Sequence, residues 1–161
     1  MKKSLPAVLL FTSLLAACGD DPATSSSVDE EGCEHLQKGP GVSITAVREG
    51  AGPAVSNDHK RYDIALQDAT GGKGGAVSFA VTAAEDYVFF TSADVPVTVT
   101  TSAGQVVEVE EHATSSASCT DIRGRHVVPL GVGTHTLTFG PTPVNQVSLV
   151  IEESGEHGHA H

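Results

Sequence analysis

Between Cys33 and Glu153 apolar residues recur at every second position. Val42 and Ile44 alternate with Ser43 and Thr45, and Tyr62, Ile64 and Leu66 alternate with Arg61, Asp63 and Ala65. Val77, Phe79 and Val81 share one parity, as do Val95, Val97 and Val99, then Val107 and Val109, then Leu137 and Phe139, then Val147, Leu149 and Ile151. Successive side chains of a strand point to opposite faces, so each run presents one buried and one wet face. "TSAG" (Thr101 to Gly104) sits between two such runs and predicts a hairpin loop, and "TGGKGG" (Thr70 to Gly75) predicts a second turn. Pro129, Pro141 and Pro143 are expected to bound strands. No helical period longer than a couple of turns is legible after residue 33. About seven to nine short strands in a segment of this length predict an all-β fold, an antiparallel β-sandwich, spanning residues 33–153.

The N-terminus has a different pattern. Lys2 and Lys3 precede the mostly apolar stretch Leu5 to Ala17, which is shorter than the roughly 20 residues that cross a hydrocarbon core and fits a secretory signal. It ends in Leu15-Ala16-Ala17-Cys18. This segment resembles the lipobox of bacterial lipoproteins. The resemblance implies cleavage after residue 17, acylation of Cys18, and a protein anchored to a membrane of the cell envelope by lipid. Gly19, not Asp, follows the cysteine, which in that class favours the outer membrane. Residues 18–32 carry Asp20, Asp21, Asp29, Glu30 and Glu31 without a basic residue or a large aromatic, and are expected to be a flexible acidic tether.

Charge narrows the partners. The chain has 161 residues and a formal net charge of −11, and two of its lysines lie in the leader. Nucleic acid, which is gripped by clustered Lys and Arg, is excluded as a partner. Of three cysteines, the lipid claims Cys18, leaving Cys33 and Cys119 as an even pair that is expected to form a disulfide in an oxidising compartment.

Histidine supplies the candidate chemistry. The chain ends in "EHGHAH", which spaces His157, His159 and His161 two residues apart. In an extended chain such residues project the same way, about 6–7 Å apart, so their rings can fold onto one cation, with Zn²⁺ or Cu²⁺ the natural guests of imidazole. Binding of this kind should fail as acid protonates imidazole near its reference value of about 6.5. The competing reading of 154–161 is a solvated end without a ligand. His59 shares strand parity with Arg61 and Asp63, and His59 with Asp63 marks a possible secondary polar site, although an Asp–Arg pair on a wet face explains the same residues. His135 and His126 have core parity and could meet His112 at one end of the sandwich. His35 lies close to Cys33 in sequence, and so near the expected disulfide.

"GVGTHTLTFG" (Gly131 to Gly140) followed by "VNQVSLVIEE" resembles the last two strands of small bacterial sandwich modules such as the pre-peptidase C-terminal modules, over roughly residues 75–152. His135 stands where those modules usually carry an aromatic. The resemblance implies a binding or accessory role. No Gly-x-Ser-x-Gly elbow and no His-Glu-x-x-His motif is present, so a non-enzymatic protein is expected. Two functions follow: a lipid-anchored envelope protein binding a divalent transition metal through its C-terminal histidines, or a metal-independent module that recognises an envelope protein partner.

Overall fold

The computed structural model describes residues 27–155. Among them are one helix and twelve strands. The helix is α1 (Val28–Lys38). The strands are β1 (Gly41–Thr45), β2 (Ala54–Val55), β3 (Arg61–Ala65), β4 (Gln67–Ala69), β5 (Gly72–Val81), β6 (Glu85–Thr91), β7 (Val97–Thr101), β8 (Val106–Val107), β9 (Glu111–Ala113), β10 (Gly124–Leu130), β11 (Gly133–Thr142) and β12 (Gln146–Glu153). They form two sheets. The first runs β1-β3-β12-β6-β10-β9, and the second runs β2-β5-β11-β7-β8, with β4 beside β5. The all-β sandwich is as expected. It is mixed, however: β1 pairs with β3, and β2 with β5, in parallel, and the other pairings are antiparallel.

The alternating positions meet between the sheets. Ile64, Phe79, Phe89, Leu137, Phe139 and Leu149 are all essentially without solvent contact. Phe79 meets Tyr87 and Phe89 edge-on, with ring centroids 5.2 and 6.1 Å apart, the arrangement that the ring quadrupole favours.

A second apolar layer lies on the outer face of the first sheet. Val88, Phe90, Val127 and Val150 project away from the main core and are roofed by Leu36 of α1 and by Cys119 and Ile122 of the segment before β10. This explains why β6, "EDYVFFT", lacks alternation: Tyr87 and Phe89 enter the main core while Val88 and Phe90 enter the roofed layer.

The helix corrects the expectation of a flexible tether through residue 32, since residues 28–32 are its first turns. Ser27 caps it. Its hydroxyl accepts from the Glu30 N–H at 3.3 Å, and the Glu30 carboxylate accepts from the Ser27 N–H at 3.0 Å, a reciprocal box that satisfies two backbone donors. Asp29, Glu30 and Glu31 occupy the first turn, where negative charge complements the helix dipole. Asp29, Glu30 and Glu31, expected in a linker, are a helix start, and Asp20 and Asp21 lie outside the described residues.

Several attachments hold α1 down besides Leu36. Cys33 is bonded to Cys119, 86 residues away, as expected from the cysteine pairing. Closing a loop of that length contributes on the order of 4 kcal/mol in a chain-entropy account. Arg125 bridges Asp29 at 2.9 Å, and Gln37 donates to Asp121 at 2.6 Å. Two prolines also depart from expectation. Pro129 lies inside β10, where β9 pairs only with Arg125 to Val127 and so leaves that stretch of strand edge without a neighbour on that side. Pro141 lies inside β11 at the register break between Phe139 and Thr142.

Gly32 marks how closely the helix approaches the sheet: a Cβ there would lie 2.3 Å from the Phe90 ring. Gly32→Ala should therefore lower the thermal midpoint. The overpacking penalty of about 1–3 kcal/mol outweighs the roughly 1 kcal/mol that alanine gains in helix preference. A calorimetric scan showing a higher midpoint would contradict this packing.

Candidate metal centre

β12 alternates strictly enough to place Val147, Leu149 and Ile151 in the main core. Val150 and Glu152 therefore face outward, beneath α1. Glu152 is consequently a carboxylate with 4% exposure on a strand inside the sheet. Burial pushes its carboxyl above the ordinary value. The hydrogen bond and charge of His35 and the nearby His59 oppose that rise, while Glu31 reinforces it. A buried carboxylate of this kind is tolerated only with close polar partners.

Two histidines supply them. His35 reaches down from α1, its Nδ1 2.5 Å from Glu152 Oε1. His59 comes from the loop between β2 and β3, its Nδ1 3.8 Å from Glu152 Oε2. The two rings lie 4.6 Å apart at a 50° tilt. The residue adopts φ 59°, the sole positive φ outside glycine among the described residues. A left-handed residue with a Cβ is strained by roughly 1–2 kcal/mol and persists where its surroundings fix it. Here the Tyr62 hydroxyl binds Ser56 Oγ at 2.7 Å and Asp58 Oδ1 at 3.3 Å, and Asn57 donates to Glu153 at 2.6 Å.

His35, His59 and Glu152 each present a ligand atom within 4.8 Å of the others. Two imidazoles and one carboxylate form a donor set suited to Zn²⁺ and related ions, leaving a coordination position open. Tetrahedral bonds of about 2.0–2.1 Å set ligand atoms about 3.3–3.5 Å apart, so an ion would replace the 2.5 Å contact between His35 and Glu152 and draw His59 inward from 3.8 Å. The His59 side chain is 47% exposed and has room to move.

The residues singled out from the sequence are dispersed differently. Cys18, His157, His159 and His161 lie outside the described residues. His59 and Asp63 lie against different partners. Asp63 accepts from Arg61 at 3.0 Å and from Ser148 at 2.7 Å; burial opposes its ionisation, but Ser148 and Arg61 hold its carboxyl below the ordinary value. His59 precedes β3 instead of lying within it, and its left-handed backbone sends it to Glu152. His126 and His135 have the core parity expected of them, at 3% and 4% exposure. His126 stacks on His112, ring centroids 4.7 Å apart. His135 instead sits with Nε2 2.8 Å from the Gly131 carbonyl oxygen, and no three-donor group forms around either among the described residues.

Glu152 was not legible as a site residue. Its parity marks the wet face of β12, and that face is dry only because a helix covers it. The chain matches no known protein-family model, and a search of curated proteins finds no match either.

His126 yields a pH prediction. Burial first, then neighbouring His112, pushes its imidazole from 6.5 down to about 4, with Asp94 opposing. The unfolded chain takes up this proton first as pH falls, so the His126 contribution is intact above pH 6.5 and is lost between there and about pH 4. Urea titrations at pH 7 and pH 4 should show His126→Leu losing about 3 kcal/mol less stability than the parent across that interval. Equal losses would refute the assignment.

Proposed function

We propose that this protein is an exported β-sandwich, anchored through acylated Cys18 to a membrane of the bacterial cell envelope, that binds a divalent transition-metal ion without catalysing a reaction. The observation that carries the metal reading is the convergence of His35, His59 and Glu152 from a helix, a loop and a strand. Three donors brought together across 117 residues of chain, from His35 to Glu152, are not a by-product of local sequence. His157, His159 and His161 begin a few residues beyond Glu152 and add a second donor set at the chain end. The anchoring reading rests on the leader and Leu15-Ala16-Ala17-Cys18, and Gly19 favours the outer membrane. The resemblance to accessory sandwich modules and the missing hydrolase motifs support binding over catalysis.

Calorimetric titration of the full chain with Zn²⁺ and Cu²⁺ tests the metal reading. His35→Ala and Glu152→Gln should each weaken the structured site by at least about tenfold. Truncation after Gly155 should remove only the tail's share of the heat. Absence of any heat that depends on His35 or Glu152 would remove this site, and chelator-insensitive capture of one envelope protein would favour the recognition module.

Glu152→Gln separates binding from folding. Because burial raises the Glu152 carboxyl, the folded state holds that proton more tightly than the unfolded chain does. The carboxylate therefore withdraws stability as pH rises through its folded value. The glutamine variant should be at least as stable as the parent at pH 7 by urea denaturation while its structured site binds Zn²⁺ at least about tenfold more weakly. Mass spectrometry of the membrane-extracted protein should show Cys18 acylated and residues 1–17 absent; an unmodified Cys18 would overturn the anchor.

A further inference from the structure

The metal centre straddles two bodies of unequal security. Glu152 belongs to β12, which pairs with β3 over residues 146–149 and with β6 over residues 149–153, Glu152 itself opposite Val88 of β6. The loop that carries His59 is tied to the same body by its neighbours, Asp58 to the Tyr62 hydroxyl and Asn57 to Glu153. His35 alone comes from α1, which is held to the sheet by side chains. An 11-residue helix is marginal by itself, so His35 is in position only while α1 is docked.

The docking face has a specific layout. Successive helix residues turn by about 100°, so Gly32 and Leu36 centre the stripe that meets Phe90 and its neighbours. Cys33 and His35 fall on opposite flanks of that stripe. One flank is covalently pinned to Cys119, and the other presents its imidazole to Glu152. Cys119 itself lies in the segment that, with Ile122, roofs the same apolar layer. The remaining ties are the part-buried contacts of Asp29 with Arg125 and Ser116 and of the Leu36 carbonyl with Arg61, and the exposed contact of Gln37 with Asp121, none of them covalent.

We propose that the Cys33–Cys119 disulfide is a redox gate on the metal centre: the oxidised chain holds His35 against His59 and Glu152 and captures the ion, and the reduced chain releases it. This inference rests on the metal reading above. A dithiol reductant attacks the sulfur–sulfur bond through a mixed disulfide. Two electrons and two protons pass to Cys33 and Cys119, giving two thiols, and the reductant closes to its own disulfide. Without the cross-link α1 undocks, and two of the three structured donors remain. A chain still in a reducing compartment would leave this site unassembled, and oxidation after export would complete it. Coupling is reciprocal, so a bound ion holds α1 down and shields the disulfide.

The test uses the chain carrying Cys18→Ser and ending at Gly155, which removes the third thiol and the tail histidines. Zn²⁺ affinity is read by competition with a chromophoric chelator. Three forms are compared: the oxidised protein, the protein reduced by a phosphine (which takes oxygen from water to become the phosphine oxide), and Cys33→Ser/Cys119→Ser, in which no thiolate can bind the ion. Affinity should fall at least tenfold in the serine variant. Amide exchange of residues 28–38 should quicken while β5 and β11 stay protected. Saturating Zn²⁺ should slow phosphine reduction of the oxidised chain at least threefold. Should the serine variant unfold, this last measurement, made on the native disulfide, decides alone. An oxidised chain that binds no Zn²⁺ sinks the metal reading itself. Tight binding that is equal in the oxidised protein and in a folded serine variant, or a reduction rate indifferent to Zn²⁺, overturns the gate and leaves the metal reading standing.

Discussion

The docking of one short helix onto the outer face of the first sheet is the contact on which the rest of this structure depends. A sandwich needs one apolar face per sheet. This sheet has two, because Val88, Phe90, Val127 and Val150 project away from the inter-sheet core. Without α1 and the Cys119–Ile122 segment those side chains would meet water, at roughly 25 cal/mol for each Å² exposed. Gly32 permits the close approach, Leu36 fills the layer, and Cys33 makes the contact covalent.

The same contact creates the chemistry. Glu152 has outward parity, and on an uncovered sheet it would be an ordinary solvated carboxylate. Under the helix it is desolvated, and it is met by His35 from above and His59 from the side. The left-handed backbone at His59 belongs to this arrangement, because an extended conformation there would continue the parity of β3 and direct the ring towards Arg61 and Asp63. A buried acid and two imidazoles within reach of one another form a group that could hold a cation. This is the physical basis of the metal reading.

The sandwich was legible because alternation is a local signal. Runs such as Val77–Phe79–Val81 carry their own parity, and the even cysteine pair carries its own partner. What was missed required knowledge of the second layer. The helix did leave marks: Ser27 three residues before Glu30, and Val28, Gly32 and Leu36 at four-residue spacing. Its acidic first turn and its glycine, however, read equally as linker. β6 lost its alternation because both of its faces are dry. Glu152 was invisible for the converse reason, since an acid at an outward position reports on solvent only where nothing covers it. The histidines at the chain end drew attention by their spacing, whereas His35 and His59 converge on a carboxylate, Glu152, that lies most of the chain away from His35.

The sheet margins have a consequence of their own. β8 and β9 are two and three residues long, and Glu108, Glu110 and Glu111 cluster along that side. Short, like-charged margins offer a neighbouring molecule too few backbone groups to extend the ladder, and they repel a second copy. Along that side a neighbouring copy finds little backbone on which to continue either sheet.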